Sequence, residues 1–130
     1  MQYLQYNHSV GSNMWHFQWC TKYRYSMFKQ DKYKNLAIVA VQEACKRNQI
    51  EILALNVQQD HIHLLANLPK QMNAVEAIMR IKGFSSYLIF KLIPEFRLRY
   101  KNTGLWSRGY FATTVGFSNF ENVIRYIIEQ

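Results

Sequence analysis

An α+β sandwich is the fold class this sequence predicts, and three observations predict it. Stretches in which apolar residues alternate with polar ones are interleaved with stretches of helical period. Two strand-like stretches are separated only by Gln58, Gln59 and Asp60, a hairpin-length connection. The resulting order is strand, helix, strand, strand, helix, strand, helix, which places a helix between pairs of strands.

Each element has its own justification. Met14 to Tyr25 alternates, with Trp15, Phe17 and Trp19 on one side and His16, Gln18 and Cys20 on the other, and reads as the first strand. Asp31 is placed to cap a helix running through Leu36, Val39, Ala40 and Ala44. Lys46 and Arg47 suit the negative end of its dipole, and Asn48 stops it. Ile50 to Val57 is the second strand and His61 to Leu68 the third, ended by Pro69. Asn73 followed by Glu76 opens a second helix with apolar positions at Val75, Ile78, Met79, Leu88, Ile89 and Leu92. Gly83 is a weak point within it and Pro94 stops it. After a basic loop carrying Arg97, Arg99 and Lys101, Leu105 to Val115 is the fourth strand. Ser118 and Glu121 form a capping box for a last helix that runs to the chain end, with Phe120, Val123, Ile124 and Ile127 as its buried stripe. This is the order of a ferredoxin-like or RRM-like sandwich, an antiparallel sheet with helices on one face, extended by a tyrosine-bearing C-terminal helix. The chain's 130 residues make one domain.

Charge narrows the partner. Lysine and arginine number 16 against 8 acidic residues, a net charge of +8, which points to a polyanion. The 9 Tyr, 8 Phe and 3 Trp add platforms on which bases can stack. Two cysteines, Cys20 and Cys45, exclude a Cys-rich zinc site and fit reduced thiols. No glycine pattern forms a phosphate loop. No apolar run spans a bilayer, and the polar N-terminus lacks a signal segment, so a cytoplasmic protein without a membrane partner is expected.

The candidate chemistry lies in two places. His61 and His63 flank Ile62 on one strand, so both imidazoles project to one face, roughly 7 Å apart by strand geometry. They can converge on one cation, or they can be ordinary sheet residues. Tyr126 and Gln130 share a face of the last helix with Asn122, away from its apolar stripe. A tyrosine there can also be a boundary residue with a wet hydroxyl. The acids are dispersed and there is no serine elbow, which leaves tyrosine as the available nucleophile if the protein acts on nucleic acid.

The motifs QDHIHLLANLP (59–69), KGFSSYL (82–88), GLWSRGYFATTVG (104–116) and RYIIEQ (125–130), with WCTKYRY (19–25) ahead of them, resemble in order and spacing the single-tyrosine HUH transposases of the insertion-sequence-200 type. The resemblance implies a DNA transposase and endonuclease with Tyr126 as nucleophile, and His61, His63 and Gln130 as ligands of a divalent cation, Mg²⁺ or Mn²⁺. It also implies a homodimer, with active sites shared between subunits, acting on single-stranded DNA hairpins at the ends of a mobile element. The intermediate would be a 5′-phosphotyrosine. The family often has proline where Gln59 stands here.

For DNA contacts the sequence offers Arg80, Lys82, Ser85 and Ser86 on the second helix, and Lys22, Arg24 and Arg108 on strands or their ends. Tyr87, Tyr110 and Phe111 are candidates for stacking. The alternatives are another HUH endonuclease, either a repeat-associated tyrosine transposase or a rolling-circle initiator, or a non-catalytic nucleic-acid-binding module. Initiators usually carry lysine three residues after the tyrosine, where this chain has Glu129, and that favours the transposase.

Overall fold

A computed structural model of the protein describes residues 3–5 and 11–130. Its elements are β1 (Tyr3–Gln5), β2 (Met14–Cys20), α1 (Asp31–Arg47), β3 (Glu51–Val57), β4 (His61–Asn67), α2 (Ala74–Leu92), β5 (Phe111–Val115) and α3 (Phe120–Ile128). Short 3₁₀ turns occupy Lys22–Arg24 and Pro94–Leu98. The sheet order is β1-β3-β4-β2-β5 and every pairing is antiparallel. Without β1, this is the ferredoxin-like arrangement expected from the element order. β1, which pairs with β3, is an addition that the sequence reading did not include.

The strand period divides the two faces. Phe17, Trp19, Leu55, Ile62, Leu64 and Ala66 point to a large core shared with α1 and α2, including Ala37, Val41, Ala77, Ile78 and Ile81. The opposite face carries a smaller core in which Met14, Leu53, Leu65 and Val115 receive Phe120, Ile124 and Ile127 of α3. So α1 and α2 cover one face and α3 only part of the other. Full burial of side chains such as Phe17 and Ile62 contributes about 1.5–3 kcal/mol each, which fixes the register on which the site depends.

Several local expectations are corrected. The first strand ends at Cys20 rather than Tyr25, because Tyr23 and Arg24 adopt left-handed backbone with φ of 62° and 51°. The fourth begins at Phe111 rather than Leu105. Residues 105–107 instead run beside 20–22, with Ser107 N donating to Cys20 O, Lys22 N to Leu105 O, and a single bridge pairing Thr21 with Trp106. Asp31 is the first residue of α1, after a Gln30 cap with no side-chain bond. The Ser118–Glu121 box is replaced at α3 by Asn119, whose Oδ1 accepts from Gly116 N at 2.9 Å. The Asn73 cap is as expected, with its side chain accepting from Glu76 N. Val39, Val75, Met79 and Leu92, placed on apolar stripes, are exposed. Among the described residues no helix is long and apolar enough to cross a membrane.

Candidate active site

The site occupies the face that α3 leaves partly open. His61 and His63 both project there from β4, with ring centroids 5.1 Å apart, as the strand period requires. The β2–β4 register sets Gln18 opposite His63 and Cys20 opposite His61. It also brings in a residue that the sequence reading did not single out as functional. His16 Nε2 lies 3.3 Å from His63 Nδ1, and the rings are stacked at 5.6 Å.

Each imidazole of the β4 pair is held through one nitrogen. His61 Nδ1 donates to Asp60 Oδ1 at 2.7 Å. Asp60 is fixed in turn by Arg24, whose Nε and Nη2 donate to its two oxygens at 3.2 and 3.3 Å. Burial raises the Asp60 pKa, but the bonds and charges of Arg24 and His61 outweigh it and hold the carboxyl below its ordinary value. Arg24 reaches Asp60 from a left-handed turn at Tyr23 and Arg24, and each such residue costs about 1–2 kcal/mol. A neutral His61 then keeps its lone pair on Nε2.

His63 is the buried member, 1% exposed, and its Nε2 has no hydrogen-bond partner. A buried N–H without an acceptor is the costlier orphan, so the favoured tautomer places the proton on Nδ1, donating to His16, and leaves a bare lone pair at Nε2. Burial, with His61 and His16 nearby, pushes the His63 pKa down to about 4, and burial lowers that of His16 too. Both rings are therefore neutral near pH 7, the form in which imidazole binds a cation.

Tyr126 completes the cluster. Its ring meets His63 edge-on at 5.6 Å and His16 at 5.9 Å, while the residue stays 51% exposed. Phe120, Ile124 and Ile127 anchor the opposite side of α3, as the helical period predicts. Asn56 of β3 and Gln58 just after it, neither anticipated from sequence, grip the helix end. Asn56 Nδ2 donates to Ile127 O at 2.7 Å, and Gln58 Nε2 donates to Asn56 Oδ1 at 2.9 Å and to Gln130 O at 3.4 Å. Gln130 lies just beyond α3, and its Nε2 donates to Tyr126 O at 2.8 Å, leaving Oε1 as the atom free to serve as a ligand.

These residues fit a divalent cation by their donor set. Two imidazoles, each with one nitrogen already held, and the amide oxygen of Gln130 at the end of α3 would make an open and mixed N/O donor set. Among the described residues no three of His, Cys, Asp and Glu group so as to hold a metal ion.

The candidate DNA contacts divide. Arg24 lines the cleft that holds His61, with Lys22 half-buried two residues before it, and Arg108 is exposed between Ser107 and Gly109 of the same cleft wall. Arg80 is bonded to Glu76 and Asn48 at the outer side of α1 and α2. Lys82, Ser85 and Ser86 turn inward instead. Lys82 Nζ donates to the carbonyls of Ser107, Arg108 and Gly109 at 2.7, 3.2 and 3.3 Å, and its burial lowers its pKa. Ser85 Oγ accepts from Trp106 Nε1 and Ser86 Oγ from Leu105 N. The KGFSS motif thus fastens the 104–109 segment along the end of β2. Arg97 and Arg99 are likewise occupied, stacked on Phe90 and Tyr25.

Comparison with known proteins bears on the family and the fold. The family model described as "Transposase IS200 like" matches residues 9–130. The transposase for insertion sequence element IS200 of Salmonella typhimurium LT2 is 28% identical over 123 residues, covering 95% of this chain and 80% of its own. A crystal structure of a Deinococcus radiodurans R1 protein described as a transposase superposes with a TM-score of 0.68 at 24% identity, covering 98% of both chains. A REP-associated tyrosine transposase solved bound to a REP hairpin superposes with a TM-score of 0.62 at 16% identity, covering 95% of this chain and 70% of the other.

Proposed function

The chain belongs to the IS200-like transposase family, and from that premise we propose that it cuts and rejoins single-stranded DNA at the hairpin-marked ends of a mobile element, with Tyr126 as the nucleophile. The observation that carries this reading is the seat of Tyr126, half exposed and edge-on to two buried neutral histidines. The phenol oxygen attacks phosphorus and a tyrosyl ester forms at the 5′ side as the bond to the 3′ oxygen breaks. The phenol gives up its proton and the leaving oxygen ends as a 3′-hydroxyl. One phosphodiester replaces another, so no ATP is needed. A second 3′-hydroxyl reverses the step and joins a new strand.

His61, His63 and Gln130 would hold the Mg²⁺ or Mn²⁺. Bound there, the cation would offset the charge that develops on the phosphate oxygens. The protein's own residues set the geometry. Asp60 orients His61, His16 orients His63, and Asn56 with Gln58 keeps the end of α3 beside them. The net charge of +8 supplies attraction for the strand. Hairpin recognition is inferred from the likeness to the relative solved on a REP hairpin. The homodimer implied by the family resemblance belongs to the same proposal, and sedimentation at micromolar concentration tests it.

The direct test mixes the protein with a hairpin-bearing single strand and Mg²⁺ and looks for a covalent adduct on a denaturing gel. The wild type forms it, and EDTA prevents it. Tyr126→Phe forms none, yet still retards the hairpin on a native gel. Equal adduct from both proteins overturns the assignment of Tyr126.

A further inference from the structure

Two clefts open beside the histidines, and they share a wall. One, of about 280 Å³, is lined by His61, Cys20, Arg24, Ser107 and Tyr110. The other, of about 490 Å³, is lined by His16, Asn119, Asn122, Val123 and Tyr126. Gln18 and Phe111 line both. In the sheet register Gln18 stands opposite His63 on one side and Phe111 on the other, so His63, Gln18 and Phe111 form one row across three strands. The Phe111 ring meets His16 edge-on at 5.6 Å. It is 50% exposed, on the strand at the sheet edge.

The division of the site residues between the clefts is informative. His61 lines only the smaller cleft and Tyr126 only the larger. A phosphate that meets both residues has to lie over the divide, and its two neighbouring nucleotides then fall to either side. We propose that the clefts seat the two nucleotides flanking the scissile phosphate of single-stranded DNA, with Phe111 as the ring against which a flanking base stacks. The choice of ligand rests on the function proposed above; the placement rests on the clefts. The occupant's chemistry matches the lining. Tyr110 and Phe111 offer apolar faces, Arg24 a cation at the rim, and Asn119 and Asn122 amides that can both donate to and accept from base edges. The arrangement favours a single strand over a duplex, because only unpaired bases can turn into separate clefts around one ring.

The test uses Tyr126→Phe protein, which cannot become linked to the strand. It is titrated into a short oligothymidylate carrying one central 2-aminopurine, whose fluorescence falls when the base stacks. With Phe111 present, binding quenches the probe. Phe111→Leu, which keeps apolar bulk without a ring, loses the quench and binds about 5- to 100-fold more weakly. Phe111→Ala does the same, and Phe111→Tyr retains both signals. Circular dichroism melts confirm that the variants are folded. Quench and affinity in Phe111→Leu equal to those of the parent overturn the proposal. The adduct assay reads cleavage and not stacking. A missing adduct with a Phe111-dependent quench therefore condemns the cleavage reading alone, and an adduct without that quench condemns the stacking site alone.

Discussion

Asn56 stands opposite His63 in the β3–β4 register, and its amide donates at 2.7 Å to the carbonyl of Ile127, the residue after Tyr126. One buried side chain thus ties the helix that carries the proposed nucleophile to β3, the strand paired with the one that carries the proposed ligand. Asn56 is 1% exposed, so the Ile127 carbonyl has no water to replace it. Asn56→Asp removes the donor while keeping the shape. It should lower stability by about 1–3 kcal/mol in urea unfolding and slow adduct formation by more than it weakens hairpin binding.

Asp60 acts on His61 from outside the proposed ligand set. Asp60→Asn keeps the size of the side chain but loses the charge that holds both Arg24 and His61. Mn²⁺ affinity, measured calorimetrically, should fall about 10- to 100-fold. Folding stability should change little, since the Arg24 side chain of the pair is largely exposed.

His63 makes the cation-free protein sensitive to acid. Its folded pKa of about 4 lies below the ordinary 6.5, so the unfolded chain binds the proton more readily. Stability from this group is complete above pH 6.5 and is lost as the pH falls toward 4, up to about 3 kcal/mol. Urea midpoints measured across that window should fall for the wild type, and fall less for His63→Asn.

Lys82 separates a structural lysine from a phosphate-binding one. With three carbonyls on its ammonium, Lys82→Met should loosen the 104–109 segment and weaken DNA binding without changing the slope of log affinity against log salt. Arg108→Ala should reduce that slope by about one phosphate's worth. A slope change in Lys82→Met would return that lysine to the DNA surface.

Gln49 ends α1 in left-handed backbone, φ 58°, with Ile50 N bonded to Cys45 O and Gln49 N to Lys46 O. This is the helix-ending turn in which glycine is favoured. Gln49→Gly should raise stability by about 1 kcal/mol and leave adduct formation unchanged.

What could be read from sequence was what depends on local period. The shared face of His61 and His63 follows from strand alternation, and the outward seat of Tyr126 from helical spacing against Phe120, Ile124 and Ile127. What could not be read depends on partners far along the chain. His16 becomes part of the site only through the β2–β4 register, 47 residues away in sequence from His63. Asn56 finds Ile127 across 71 residues. Lys82 and the two serines carry motif residues whose donors and acceptors face inward, a direction that residue type alone does not set. The misjudged strand ends have the same origin. Residues 105–109 have strand-like composition, but the clamp from α2 holds all but Trp106 out of the sheet. The one signal that could have marked His16 is its place on the polar side of β2, alternating with buried aromatics.

The sheet keeps two separate cores, a large one under α1 and α2 and a small one under α3. On the proposed reading, substitutions that retune which strand is cut would fall on the small side, where α3, Phe111 and the clefts lie. The large side, which buries most of the core residues, need not change with them. Such a partition lets a lineage drift toward new target ends without forfeiting its foldability, because target choice and folding are written on opposite faces of one layer.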